Sequence, residues 1–101
     1  MTFKVYNKGI KKSIKVELSN KCTLSNLAFA IAVDFDLDID GHTYMFCKNL
    51  RRMYVGKQYI EDDELQIKCS KVFSSVGEKL LFVQDLGELN QFIVTFSNKK
   101  P

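Results

Sequence analysis

Four aspartates alternate at Asp34, Asp36, Asp38 and Asp40, and Gly41 follows them. Carboxylates at every second position closed by a glycine match the first half of an EF-hand loop, where oxygens must surround a hard cation. The twelfth position of that loop needs a bidentate glutamate, and counted from Asp36 it is Cys47. An EF-hand also leads into a second helix, whereas residues 43–47 are rich in β-formers. The run therefore reads as a solvated acidic loop, or as an acidic patch that meets a basic partner in place of nucleic-acid phosphate. No metal is expected.

His42 is the one histidine. A nucleophilic site would need it beside a nucleophile and an orienting acid. Cys47 lies close in sequence, but five residues along a strand puts the two side chains on opposite faces. There is no Gly-x-Gly-x-x-Gly, no phosphate-binding Gly-rich loop and no Gly-x-Ser-x-Gly. Neither catalytic residues nor a cofactor are expected, and the chain reads as a protein that is not an enzyme.

Two basic groups remain. Lys8, Lys11, Lys12 and Lys15 fall on the turn and outer face of an opening hairpin, where lysine also guards a sheet edge. Lys48, Arg51, Arg52 and Lys57 fall in an irregular connection beside Tyr54 and Tyr59. Cations interleaved with aromatic rings suit a phosphate backbone with stacked bases. Arg51 and Arg52 are the candidates there, with nucleic acid as the partner.

These residues need elements to hold them. Residues 2–6 and 13–18 alternate polar and apolar around a turn at residues 7–9, a half-buried antiparallel hairpin. Asn7-Lys8-Gly9 is the turn signal, since asparagine and glycine tolerate positive φ. Thr23 is a helix N-cap, with Asn26 rather than an acid three residues on, so a full capping box is not expected. Leu24, Leu27, Ala28, Ile31, Ala32 and Phe35 then form a helical stripe. Phe29 lies off that stripe, in a run from 27 to 33 without a polar residue. An apolar helix flank of this kind is covered by a second layer or by a partner, including a second copy of the chain.

Residues 42–47 read as a strand. Residues 48–57 form a polar connection with a short strand at 53–55, residues 58–64 are loop-like, and residues 65–67 make a brief strand. A helical turn at 70–74 presents Val72 and Phe73. Residues 79–83 and 92–96 are two apolar β-runs, a final hairpin turning at Asp85 and Gly87. The order is β-β-α-β, irregular, β-β. It defines an α+β single-domain roll over residues 1–101, with one main helix on a mostly antiparallel sheet.

Three segments resemble the plasmid Ri open-reading-frame-three-like family, small proteins of plasmids and mobile elements. They are Thr23-Leu24-x-x-Leu27, Asp40-Gly41-His42-Thr43-Tyr44-Met45-Phe46, and residues 77–88, Gly-Glu-Lys-Leu-Leu-Phe-Val-Gln-Asp-Leu-Gly-Glu. The family's late motif is Gly-x-Lys-Phe-Leu-Tyr-x-Tyr-Asp-Phe-Gly-Asp, usually with a tryptophan soon after. Here Gln84 and Leu86 replace its last two aromatics, and Asn90 stands near the tryptophan's place. The resemblance implies a carrier such as a plasmid or phage, and it carries the fold over better than any ligand site.

The bulk numbers agree with a small globular protein. The 101 residues are 46% hydrophobic and 27% charged, ordinary for a protein with one modest core. The net charge is +3, but outside the four aspartates 15 basic residues face 8 acidic ones. That asymmetry gives a directional field. Cys22, Cys47 and Cys69, an odd count without a close pair, read as reduced thiols rather than a disulfide framework or zinc site. No apolar run reaches membrane-spanning length, and the start lacks a signal-peptide plan, so a cytoplasmic protein without membrane contact is expected. The reading that results is a non-catalytic protein-interaction module. Its sharper form is an inhibitor of a host defence nuclease, such as a CRISPR effector, acting through the acidic run. The alternatives are a nucleic-acid-binding accessory protein and a self-associating structural protein dimerising through the apolar helix.

Overall fold

Phe3 and Val5 turn inward while Lys4 and Tyr6 turn out, and that alternation sets the architecture. The computed structural model describes residues 1–37, 44–52, 56–60, 62–84 and 90–98. Strand β1 (Thr2–Asn7) pairs antiparallel with β2 (Lys12–Glu17) on one side and with β6 (Asn90–Asn98) on the other. Strand β5 (Lys79–Gln84) joins β6 to β3 (Tyr44–Cys47), and β4 (Gln58–Tyr59) closes the far edge. The result is one antiparallel six-stranded sheet in the order β2-β1-β6-β5-β3-β4.

Helix α1 (Leu24–Asp34) lies on the inner face of this sheet. Its Leu24, Leu27, Ala28 and Ile31 are buried with Phe3, Val5, Val16, Phe46, Leu80, Phe82, Phe92, Val94 and Phe96. Two aromatic groups knit this layer. Phe82 stands 4.8 Å from Phe46 and 5.6 Å from Phe92, ring centre to ring centre. Phe73 stands 5.2 Å from Phe3 and 6.0 Å from Phe96. On the outer face Met45, Cys47, Leu81 and Val83 form a smaller cluster under Leu50 and Ile60. Strand β5 is covered on both faces, which is why its residues 80–83 are all apolar.

The coarse reading holds: an α+β arrangement of an antiparallel sheet with helices packed on it. Between β3 and β5 the order differs from the expected one. Residues expected to be loop and brief strand instead supply β4 and helix α2 (Asp62–Leu65), and α3 (Cys69–Val72) follows. Single helical turns are too short to show a period, and here they are held by neighbours. Leu24 N donates to Ile67 O at 3.0 Å and Cys69 N to Cys22 O at 2.9 Å, flanking a bridge between Thr23 and Lys68. The expected strand at 53–55 and the expected turn at Asp85 and Gly87 lie outside the described residues.

One local expectation is corrected. The capping box is complete, because Asn26 serves as an acid would: its Oδ1 accepts from Thr23 N at 2.9 Å while Thr23 Oγ1 accepts from Asn26 N at 3.1 Å. The β1–β2 turn falls where expected, and its left-handed residue is Lys11, at φ 56°. Asn7 acts through its side chain, whose Oδ1 accepts from Gly9 N at 2.9 Å.

Candidate functional site

Helix α1 leaves one flank uncovered. Phe29 and Val33, one turn apart, are 61% and 62% exposed. A groove beside Phe29 has a volume of about 660 Å³ and is lined by Leu18, Lys21, Cys22, Ser25, Phe29 and Ala30, among others. Asp34 is the last residue of α1, and the helix has no basic residue in its last turn. Asp36 is exposed and sits just beyond, at φ 53°. Leu37 N donates to Ala32 O at 2.7 Å and Asp36 N to Val33 O at 3.3 Å. This is the Schellman ending, with Asp36 where glycine usually stands. The structure places Phe29 on the open flank of α1, and Asp34 and Asp36 at its C-terminal end. Asp38, Asp40 and His42 lie outside the described residues, as does most of the calcium-loop match. Among the described residues no group of three or more histidine, cysteine or acidic side chains is placed to hold a metal ion.

Arg51 and Arg52 are exposed on the connection after β3. Asn49 shapes it, its Oδ1 accepting from the backbone N–H of both arginines at 2.9 Å. The Cys47 thiol donates to Asn49 O and Arg52 O at 3.4 and 3.5 Å. The rest of the expected basic-aromatic group disperses. Tyr59 is buried, because β4 pairs it with Phe46, so its ring is unavailable for stacking. Lys57 lies over that ring and bonds Glu64 at 3.4 Å, while Lys48 reaches Val72 O. Tyr54 lies outside the described residues.

Three features were not singled out by residue type and spacing. The first is Val33, which completes the exposed helix flank. The second is a thiol pair. Cys22 and Cys69 are 47 positions apart, yet they stand opposite each other beside the bridge of Thr23 and Lys68. All three cysteines are buried. The hydrogen bond from Cys69 brings the Cys22 thiol down to about 7, and the same bond with burial pushes Cys69 up. The third is the outer sheet face across β2, β1, β6 and β5. Its exposed lysines Lys15, Lys4 and Lys79 come from three strands and meet only through the sheet register.

No family model matches the chain, and no curated protein matches it. Its fold is similar to the crystal structure of a protein of unknown function from Methanosarcina mazei Go1, with a TM-score of 0.71 and 23% sequence identity. The match covers 96% of this chain and 58% of that one, so the present chain spans a little over half of its neighbour's length. The likeness places the chain in the class of small α+β folds built on an antiparallel sheet. No helix among the described residues is long and apolar enough to cross a membrane.

Proposed function

We propose that the protein is a non-catalytic interaction module, an α+β roll whose one longer helix docks a protein partner offering an apolar slot with a basic rim. The observation that carries this reading is the exposed pair Phe29 and Val33 beside a helix end bearing Asp34 and Asp36. Two large apolar side chains more than half exposed one turn apart make a strip suited to insertion. The acids beside them do nothing for the helix. A carboxylate at a helix C-terminus opposes the dipole by about 0.3–1 kcal/mol. Asp36 adds the strain of a left-handed backbone without glycine. Basic residues on a partner would offset the electrostatic cost on binding, which is the reason for proposing a basic rim.

A sharper form follows from that charge. A groove built for nucleic acid has a basic rim, so a host defence nuclease such as a CRISPR effector is a suitable partner, and the protein would act as its inhibitor. The mobile-element setting of this form is supported by the sequence resemblance alone.

The test is capture of the tagged protein from a host lysate, with and without nuclease treatment, using wild type, Phe29→Glu and the double variant Asp34→Lys/Asp36→Lys. The expected result is a stoichiometric protein partner that survives nuclease and is lost with either variant, while thermal unfolding shows both variants folded. A homodimer that Phe29→Glu converts to monomer would make the partner a second copy of the chain. Recovery of nucleic acid alone, unaffected by either variant, would sink the proposal.

A further inference from the structure

Among the described residues, the sheet face turned away from α1 is covered at one end only. Leu50 and Ile60 seat on Met45, Cys47, Leu81 and Val83. Toward β2, β1 and β6 the face is open, and the register lays out two rows on it. In the first, Lys15 stands opposite Lys4, Lys4 opposite Thr95, and Thr95 opposite Lys79. In the second, Ser13 stands opposite Tyr6 and Tyr6 opposite Ile93. Directly paired residues share a face. Neighbouring strands lie about 4.8 Å apart, so the three lysines span about 14 Å, and the two rows are about 7 Å apart. Between them is a depression of about 430 Å³ lined by Lys4, Tyr6, Ser13, Lys79, Ile93 and Thr95.

The charges on this face are unbalanced. Lys4 and Lys15 are like charges directly opposite each other, an arrangement that weakens a sheet. Lys15 pairs with Glu17 at 3.1 Å, both exposed, and Lys15 on the edge strand has a protective role. Lys4 and Lys79 are on inner strands, where edge protection explains nothing. Lys79 Nζ bonds Thr95 Oγ1 at 3.3 Å, which holds the ammonium over the row, and Lys8 Nζ bonds Gln91 Oε1 at 3.2 Å at the next position along β6. The connection that carries Arg51 and Arg52 seats its Leu50 on the same face.

We infer that this face binds single-stranded nucleic acid, with its backbone running across the strands. Phosphates sit on Lys15, Lys4 and Lys79, and a base stacks on Tyr6 beside Ile93. A row of cations parallel to an aromatic and apolar row is the pattern that a polyanion with flat side groups requires. A duplex keeps its bases stacked internally and cannot give one to Tyr6. This inference concerns the face opposite α1 and stands or falls independently of the docking proposal.

The test is fluorescence anisotropy with fluorescein-labelled 12-mers of U and dT and a 12-base-pair duplex, between 50 and 300 mM salt. Three phosphate contacts on a single strand predict a slope of log K against log salt of about −2, and loss of any one lysine reduces it by about 0.7. Tyr6→Ala should weaken single-strand binding roughly fivefold or more and leave the slope unchanged. The single strands should bind more tightly than the duplex. Lys4→Ala should keep or raise the melting temperature, so loss of binding would not reflect unfolding. No binding at 50 mM salt would overturn the inference. So would binding unaffected by Tyr6→Ala and equally displaced by heparin, which would mark a charged surface without a site. Binding lost with Arg51→Ala/Arg52→Ala and retained in the Lys4/Lys15/Lys79 triple alanine variant would move it to the connection, and would also overturn it.

Discussion

At Asp36 the stability of the fold and the proposed docking role pull in opposite directions. Its backbone ends α1 in the left-handed region at φ 53°, where glycine has no steric cost. Asp36→Gly should therefore raise stability by about 1 kcal/mol, from relief of backbone strain and of the unfavourable charge at the helix end. In a protein of this size that is roughly 4–8 °C in melting temperature, measurable by calorimetry. The same substitution should weaken the proposed partner complex, so stability and binding would move in opposite directions. Cys22 offers a second measurement at this scale. With its thiol held at about 7 by the Cys69 hydrogen bond, its rate of alkylation by iodoacetamide should titrate near neutral pH. In Cys69→Ala that midpoint should rise toward the ordinary 9.0. A midpoint unchanged by the substitution would show that the pair is not hydrogen-bonded in solution. Neither effect is legible in the chain. The aspartate run is visible, but which aspartate closes α1 and which takes the left-handed position depends on where α1 stops.

Among the elements, the connection from α3 to β5 is held by a carboxylate. Glu78 accepts from Ser74 Oγ at 2.8 Å and from Ser74 N at 2.7 Å, and Gly77 supplies the positive φ of 98° that the chain needs beside it. The Ser74 hydroxyl bond, with the backbone bond, holds the Glu78 carboxyl below its ordinary value of 4.5. A group whose pKa is lower folded than unfolded adds stability above its unfolded value and loses it as the pH falls through the folded one. The melting-temperature gap between wild type and Ser74→Ala should thus be constant near pH 6–7 and close below about pH 4. A gap that persists in acid would show that Ser74 acts by packing alone. The opening hairpin, α1 and the closing pair of strands are all readable from their periods. The helical turn expected at 70–74 is found as α3, whereas α2 is not legible, because a single turn carries too few residues to display 3.6-residue spacing and is too short to form unaided. Both exist because Ile67 and Cys22 accept the backbone N–H groups that fix them.

At the scale of the molecule the sheet separates two surfaces. The inner one carries α1, with its exposed apolar flank and acidic end. The outer one carries the lysine row and the arginine connection. Both depend on the aromatic layer around Phe82, which is fully buried and touches Tyr44, Phe46 and Phe92. Phe82→Ala should cost about 3–5 kcal/mol, a large part of the 5–15 kcal/mol that typically holds a small protein together. Chemical denaturation should show that loss in the midpoint with the slope unchanged. A loss below about 1 kcal/mol would mean that the layer closes around the gap.

Local patterning was enough for some features. Alternation over residues 2–6 and 13–18 defines two strands with one inward face. The stripe from Leu24 to Ile31 defines a helix that must lie on them, and Phe29 stands visibly off that stripe. Each of these is a relation between residues a few positions apart, so the chain states it directly. Tertiary structure decided what depends on residues distant in sequence. Tyr59 was a candidate for stacking until β4 placed it beside Phe46 in the interior. Cys22 and Cys69 became a pair only when the segments leading into α1 and α3 were bridged at Thr23 and Lys68. Lys4, Lys15 and Lys79 form a row because β1, β2, β6 and β5 fall into one register, and that register is chosen by burial of Phe3, Val5, Phe92, Val94 and Phe96 on the other face. The outer charges are carried into place by the apolar side chains beneath them.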